Sequence, residues 1–494
     1  MACGGLMKNL FFEKKENLIS YDGQFTYEND RCIIAFEGEI YLDGSPLSAS
    51  QLADLLLTGT SLDALGGLYS LIAYRKDDGL LIADQDIFSY FHPLYFAVTE
   101  GGIILSLSMR ELILRSGIMP KMNEGHIPEF LYNGFLTDDR CLLHGVRKLP
   151  AMHLLRYGCL TGEGSYLKKN YQPKSPVKKS DDYLSLLRES VEESIASATE
   201  INLALSSGFD SNLLLHMITS INPDCRINAF CIGACNGSDE IDSVRRICRS
   251  YPQVNLSVRR VSPDILEDLP SMVYELEDSV FERGIFLQYM LSCELAGSSR
   301  VPTFFGEGAD QILSSELRLD AAPYYFVGRE QHYPWVYYPY EMLTYIIIKK
   351  NGVFLRNRDV ISVYPFLRPT FIDGVRKYSS RNGISKEHYK KYICELISPE
   401  ISDLLVKRAG STNLTSLFDD ENRDRLFDAA VRSRFYPMLT AQPDRDSGSE
   451  VHMDNCLKIL YLECFERIFC KRATDLKNDK CGLKLSETLF ERTN

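Results

Sequence analysis

The chain has 494 residues, a formal net charge of −12, 45% hydrophobic residues and 25% charged residues. That length gives room for two or three domains with filled cores, and the composition is that of a globular protein. The acidic balance argues against a general nucleic-acid binder, and no run approaches the ~20 apolar residues needed to span a bilayer.

The N-terminus, "MACGGLMKNLFFEKKENL", soon turns charged with both signs, so it does not read as a secretory signal. The 14 cysteines are scattered. Their closest set, Cys225, Cys231 and Cys235, has no C-x-x-C pair, which fits thiols in a reducing cytosol better than a metal site. A cytoplasmic protein is expected.

In chain order, residues 1–166 read as a β-rich domain. "CIIAFEGEIYLDG" is an apolar run, then alternation, then an Asp43-Gly44 turn signal. One helix, from about Ser48 to Leu57, interrupts the series. "GGLYSLIAYRKDDGLLIADQD" holds two strand-like runs around Asp78-Gly79, the pattern of a hairpin. "PLYFAVTEGGIILSLS" repeats that design around Gly101-Gly102. Residues 167–182, "LKKNYQPKSPVKKSDD", are polar, basic and proline-bearing, a linker composition. Asp181 and Asp182 open a predicted helix reaching about Ala198, where carboxylates suit the helix dipole.

From residue 183 the pattern alternates. "INLALSS" is a strand before a helix, "INAFCIG" a second strand, residues 238–249 a second helix and "VNLSVRRV" a third strand. This βαβαβ rhythm predicts a parallel sheet with right-handed crossovers. "VPTFFGEGADQIL" adds a later strand and turn. From Glu330 onward, stretches such as "DNCLKILYLECFERIFC" predict a mainly helical remainder.

Two strand-end loops carry the chemistry. In "LALSSGFDSNLLLHMI" the chain passes from strand to helix through residues 206–211. Ligands of open parallel sheets bind at such junctions, because helix N-terminal N–H groups are unpaired and the dipole favours anions. Ser206, Ser207 and Ser211 add hydroxyl donors, and Gly208 is free in its backbone angles. Asp210 suits a phosphate site where it holds Mg²⁺. The same residues also make an ordinary helix cap. The loop is neither a Walker loop nor a dinucleotide fingerprint, since no Gly-Lys-Ser/Thr follows and it has a single glycine. In "FFGEGADQIL", Gly306 and Gly308 allow a tight fold, with Glu307 and Asp310 expected in one cleft. A plain glycine turn is the alternative for that loop alone. Together the loops make a candidate Mg²⁺ and pyrophosphate site with Asp210 and Asp310 as metal carboxylates.

These residues carry a resemblance. "SSGFDS" resembles the pyrophosphate loop of the asparagine synthetase superfamily, usually Ser-Gly-Gly-x-Asp-Ser, with Ser207 where that motif has glycine. "GEGADQ" resembles its Gly-Glu-Gly-Ser/Ala-Asp-Glu motif, with Gln311 replacing the last glutamate. "INAFCIGACNGSDEIDSVRRI", "VYPFLRPTFID" and "SPEISDLLVKRAG" are similar to later landmarks, so the likeness covers most of residues 180–415. It implies a PP-loop ATPase-like parallel sheet with helical additions over residues 183–494. It also implies a chemistry in which a substrate carboxylate attacks the α-phosphate of ATP, pyrophosphate leaves, an amine attacks and AMP departs. Ser206, Ser207, Gly208, Asp210 and Ser211 would hold pyrophosphate, with Gly306 and Gly308 beside them. Asp210 and Asp310 would bind Mg²⁺, and Glu307 would act as acid or base near the amine. Lys407 falls near the family's catalytic lysine. Arg408 competes for that role because the register is loose, and a solvated helix-end cation is the alternative. Ile232 and Gly233 fall where the family's second strand meets adenine, or are plain core. Arg245 and Arg246 reach phosphate or line a solvated face.

The first domain also resembles the superfamily. "FEGEIYLDG", "LGGLYSLIAY", "HPLYF" and "GVRKLPAMH" are similar, in order, to landmarks of its glutamine-hydrolysing domain. The implied fold is an Ntn-type, class II glutamine amidotransferase-like αββα sandwich, here shortened. Its catalytic parts depart. That hydrolysis needs an N-terminal cysteine, whereas removing Met1 would expose Ala2 rather than Cys3. The asparagine expected to donate to an oxyanion is Glu37, which would repel it. No glutamine hydrolysis is expected, so the amine comes from elsewhere.

Lasso peptide cyclases share this compact, glutaminase-dead layout and close a macrolactam between a precursor peptide's α-amine and an Asp or Glu side chain. The aromatic-rich residues 323–343 could line a peptide pocket or a helical core. The resemblance thus implies a peptide or small-molecule carboxylate substrate, with a leader-binding protein and a leader peptidase as partners. Three alternatives stay open: asparagine formation from free ammonia, a β-lactam synthetase-like cyclase, and a non-catalytic nucleotide-binding paralogue. β-Lactam synthetases carry tyrosine at the position of Glu307, which weakens the second.

Overall fold

A computed structural model describes residues 10–169 except 17, 43–44, 61, 63–64 and 87–92, and residues 183–309 except 196–197, 235–237 and 299–300. It further describes 312, 348–375 except 369–370 and 373, 394, 396–405, 417–418, 420–439, 450–471 and 485. None of the described helices is long and apolar enough to cross a membrane.

The first half contains strands β1 (Phe11–Lys15), β2 (Leu18–Asp22), β3 (Phe25–Glu28), β4 (Cys32–Leu42), β5 (Ser45–Pro46), β6 (Gly66–Arg75) and β7 (Leu80–Gln85). It continues with β8 (Tyr95–Thr99), β9 (Gly102–Ser106), β10 (Arg147–Lys148), β11 (His153–Gly158) and β12 (Glu163–Lys168). Helices α1 (Ala49–Thr58), α2 (Met109–Ser116) and α3 (Ile127–Asn133) accompany them. One antiparallel sheet has the order β10-β8-β9-β1-β2, and the other β12-β11-β7-β6-β4-β3 with β5 paired to β4. The hairpins predicted at Asp78-Gly79 and Gly101-Gly102 are β6–β7 and β8–β9.

The run "CIIAF" is apolar throughout because both of its faces are covered. Ile33 and Ala35 join Phe12, Ile72, Leu105 and Leu155 between the sheets. Cys32, Ile34 and Phe36 turn outward onto Leu52 and Leu56 of α1. The outer face of the other sheet, Tyr95, Ala97 and Ile104, packs on Met109 and Leu112 of α2 and Phe130 of α3. The layers are therefore helix, sheet, sheet, helix. Ser48 and Gln51 form a capping box at the start of α1, which fixes the predicted boundary.

The basic stretch predicted as linker begins inside this half. Leu167 and Lys168 end β12. The Lys169 ammonium lies 2.8 Å from the Asp84 carboxylate and donates to Tyr69 Oη and Gln85 O, each at 2.9 Å. Residues 170–182 lie outside the described residues. So do Asp181 and Asp182, and the predicted helix is seen as α4 (Tyr183–Ile195).

The second half holds β13 (Glu200–Ala204), α5 (Phe209–Ile221), β14 (Arg226–Ala234), α6 (Ser238–Cys248), β15 (Val254–Val261), α7 (Leu269–Leu276), α8 (Ile285–Leu295), β16 (Thr303–Phe304) and β17 (Ser362–Val363). The five strands form one parallel sheet. Buried Leu203, Ile227 and Phe304 meet Leu214 of α5 and Val244 of α6 in its core. The described residues beyond it are mostly helical, including Lys349–Arg356, Asp420–Val431 and Glu450–Phe465. Strand β17 interrupts that helical remainder. Two residues before a proline gave the sequence no strand period to show.

The halves share a core. Tyr95, Ile104 and Leu112 of the first half belong to the same buried cluster as Met272 and Val273 of α7 and Leu457, Leu460 and Tyr461 of the helix Glu450–Phe465. Buried charge crosses this seam. Glu277 accepts from the backbone N–H of Arg110 at 3.1 Å, from Arg110 Nε at 2.5 Å and from Ser108 Oγ at 2.9 Å, which caps α2. Asp278 is paired with Lys349 and lies 3.7 Å from the Lys148 ammonium. Burial lowers both lysines, Lys148 to about 8.

Candidate active site

The parallel sheet runs β15-β14-β13-β16-β17. The chain works outward from β13 to one edge, then returns to the other side of β13 with β16. The crevice at the carboxyl ends of strands where the order reverses is the ligand-binding position of open α/β sheets. The pairings Asn202↔Thr303 and Leu203↔Phe304 release the loops after β13 and β16 at one level. The two motifs therefore lie side by side, although 100 residues separate them in sequence.

Their contact is direct. A Cβ on Gly306 would lie 3.1 Å from the backbone N of Ser211 and 3.3 Å from Asp210 C and Cβ. A side chain there would have to push the first turn of α5 back by a few tenths of an ångström. Gly308 has φ +93°, and a Cβ on it would strike Leu367 Cδ2 at 2.3 Å. Leu367 belongs to the "VYPFL" stretch, which β17 carries alongside β16. Tyr364 stacks on Phe305 at 5.2 Å, completing that wall.

The first loop is wound on itself. Gly208 N donates to Ser206 Oγ at 3.1 Å, and Ser206 N donates to Ser211 Oγ at 3.2 Å. Asn212 Nδ2 donates to Ser206 O at 2.9 Å and Gly208 O at 2.7 Å, clamping both ends. The N-cap of α5 is Gly208, and no side-chain cap forms. Ser206, Gly208 and Asp210 stay partly exposed on the open side, while Ser211 is buried. Ser207 is fully buried, and its hydroxyl has no hydrogen-bond partner among the described residues. Its backbone N–H points to Glu240 Oε1 at 3.5 Å. Ser207 is thus more enclosed than Ser206 and Asp210.

Strand β14 outruns β13. Leu205 N donates to Phe230 O at 2.9 Å, and Ile232 and Gly233 continue beyond, paired only with Arg259 and Arg260 of β15. Ile232 is half-buried and Gly233 is buried, against Ile241 of α6. Arg245 and Arg246 are exposed on α6, and Arg245 is paired with Asp242 at 3.0 Å.

Glu307 follows directly after the contact glycine. Burial pushes its carboxyl above the ordinary 4.5, and its own backbone N–H, then Lys350, Asn351 and Gln288, partly offset the shift by favouring the ionised form. The residue keeps some exposed surface while its carboxyl is surrounded by protein. Gln288 Nε2 of α8 lies 3.5 Å from Glu307 Oε1.

No three metal-ligating side chains cluster among the described residues. Asp210, in the first turn of α5 beside Gly306, is a carboxylate oxygen donor suited to a hard cation. Such a donor set fits Mg²⁺ held jointly by a carboxylate and phosphate oxygens rather than by a protein cage. Asp310, Lys407 and Arg408 lie outside the described residues.

Sequence reasoning overlooked Asn212, Glu240, Gln288, Lys350 and Asn351. Asn212 directly follows the motif and could have been included. The others read as ordinary polar helix positions, and only the fold turns them inward.

No curated protein matches the chain. One solved structure, described as the allosteric regulatory enzyme of purine biosynthesis, is 9% identical with a TM-score of 0.22, covering 52% of this chain and 75% of its own. Another, glutamine phosphoribosylpyrophosphate amidotransferase from B. subtilis complexed with ADP and GMP, is also 9% identical with a TM-score of 0.19, covering 52% and 76%. At those scores neither bears on the fold or the chemistry of this chain. Residues 182–355 match the family model described as asparagine synthase, which supports the asparagine synthetase superfamily and, with it, ATP-dependent amide-bond formation in general.

Proposed function

We propose that the chain is an adenylating synthetase that closes a macrolactam ring in a precursor peptide, as lasso peptide cyclases do. The observation that carries this reading is the meeting of the Ser206–Ser211 loop and the Gly306–Gly308 loop at the strand-order reversal. A side-chain carboxylate oxygen attacks the α-phosphorus of ATP, the α–β phosphoanhydride bond breaks and pyrophosphate leaves. The peptide's amine then bonds to the acyl carbon, the bond to AMP breaks, and Glu307 accepts the amine's proton.

Ser206, Ser207, Gly208, Asp210 and Ser211, at the first turn of α5, hold the departing pyrophosphate, with Gly306 and Gly308 beside them. Ile232 and Gly233 flank the adenine. Mg²⁺, bound through Asp210 and Asp310, would neutralise charge on the phosphates. Lys407 stabilises the tetrahedral intermediate. We assign residues 1–166 to a degenerate glutamine amidotransferase-like unit, 167–182 to a linker and 183–494 to the synthetase unit, in a cytoplasmic protein served by a leader-binding protein and a leader peptidase. Glu37 supports the loss of glutamine hydrolysis, since it is a buried carboxylate where an oxyanion donor is needed.

The test supplies ATP and Mg²⁺ with peptides carrying a free N-terminus and one internal Asp or Glu. Pyrophosphate release and a product lighter by one water are expected. Turnover of free aspartate with ammonium, and of no peptide, would transfer the assignment to ammonia-dependent asparagine formation. ATP binding without pyrophosphate release on any carboxylate would leave a nucleotide-binding paralogue.

A further inference from the structure

The helix Lys349–Arg356 begins with three buried polar residues in a row, Lys349, Lys350 and Asn351. Lys349 is held by Asp278, and Lys350 by Glu282. Asn351 is only 1% exposed, and among the described residues neither its Nδ2 nor its Oδ1 meets strict hydrogen-bond geometry, although its amide acts on the Glu307 carboxyl. Its amide lies close enough to the Glu307 carboxyl to favour the ionised form. A buried amide with spare hydrogen-bonding capacity is suited to meet a ligand.

The surroundings say which ligand. Glu307 offers carboxylate oxygens, Asn351 Oδ1 is an open acceptor among the described residues, and Gln288 Nε2 lies 3.5 Å from Glu307 Oε1. The Lys350 ammonium that acts on Glu307 is paired with Glu282. The site is therefore rich in acceptors, and it begins one residue beyond the Gly306 contact with the phosphate loop.

We infer that Asn351 and Gln288, together with Glu307, form the subsite for the attacking primary amine, apart from the groups that activate the carboxylate. This inference rests on the ligase reading above. The amine enters as an ammonium, donating to Glu307 and Asn351 Oδ1. One proton passes to Glu307, the freed lone pair forms the C–N bond, and the acyl–AMP bond breaks. Asn351 and Gln288 hold the remaining N–H groups and aim the lone pair.

The test uses the full chain with ATP, Mg²⁺, aspartate or N-acetylated peptides bearing one Asp or Glu, and hydroxylamine as the external amine. Carboxylate-dependent pyrophosphate exchange reports adenylation, and hydroxamate formation reports amine attack. Asn351→Leu and Gln288→Leu should each raise the hydroxylamine concentration for half-maximal rate about tenfold, the effect of one lost hydrogen bond. Exchange should fall by less than about threefold. Asn351→Asp, which keeps an acceptor oxygen and the side-chain volume, should restore hydroxylamine saturation to within about threefold of the native chain. Equal loss of exchange and hydroxamate, or an unchanged hydroxylamine requirement, would overturn the subsite. Absence of exchange in the native chain on every carboxylate offered would overturn the ligase reading itself, and the subsite with it.

Discussion

Gly306 is where the two loops touch, and a side chain there would press on the Asp210–Ser211 backbone. Gly306→Ala would push a methyl into the Asp210–Ser211 backbone, which cannot swing aside as a side-chain end can. We expect a stability loss of roughly 1–3 kcal/mol in urea unfolding, and at least about a tenfold fall in turnover. Glu307 gives a pH signature. Its folded carboxyl titrates above 4.5, so its neutral form is favoured by folding. That contribution is fully present below the unfolded value and is lost as pH rises through the folded one. Glu307→Gln should therefore gain stability relative to the native chain as pH is raised from 4 toward 7, in urea titrations at each pH, and the gap should stay flat if the carboxyl is not buried. Since either motif alone also reads as a helix cap or a glycine turn, the strand-end position of both loops was legible from the paired motifs. Asn351 and Gln288 were not, because a polar residue on a helix looks solvated until the fold buries it.

Among the elements, α7 ends in an uncommon way. Glu277 holds φ +53°, a left-handed cap conformation that glycine usually fills. Its carboxylate pays that backbone cost by capping α2 and pairing buried Arg110. Glu277→Gly relieves the backbone by about 1 kcal/mol but strands a buried guanidinium, a loss of about 3–5 kcal/mol. The net result should be a clear drop in unfolding midpoint; a gain would show that the ion pair contributes nothing. Element order and most boundaries followed from local signals: the Ser48 cap, the Asp78-Gly79 turn and the βαβ rhythm. The order of strands in the parallel sheet did not. Nothing in residues 200–204 says that their neighbour lies at 303–304, because that pairing depends on where the crossovers pack. The "PFL" stretch could be matched by likeness, but its place against Gly308 came only with β17.

Taken whole, the molecule uses its first half as a wall for its second. The outer face of the β8–β9 sheet, α2 and α3 are buried in one core with α7 and the helix Glu450–Phe465. The Glu277–Arg110 and Lys349–Asp278 pairs cross or line that seam. The first half therefore contributes to the core that supports the second half. The same packing places the Lys349–Asn351 turn between the first half, through Lys349 and Tyr95 at 3.1 Å, and the Glu307 site. The central claim concerns the bond made in the first step, and isotope transfer tests it directly. A peptide or aspartate carrying ¹⁸O in its reacting carboxylate is turned over with ATP and Mg²⁺, and the nucleotide products are weighed by mass spectrometry. Adenylation predicts AMP bearing one ¹⁸O and unlabelled pyrophosphate; ADP with ¹⁸O in free phosphate would contradict it.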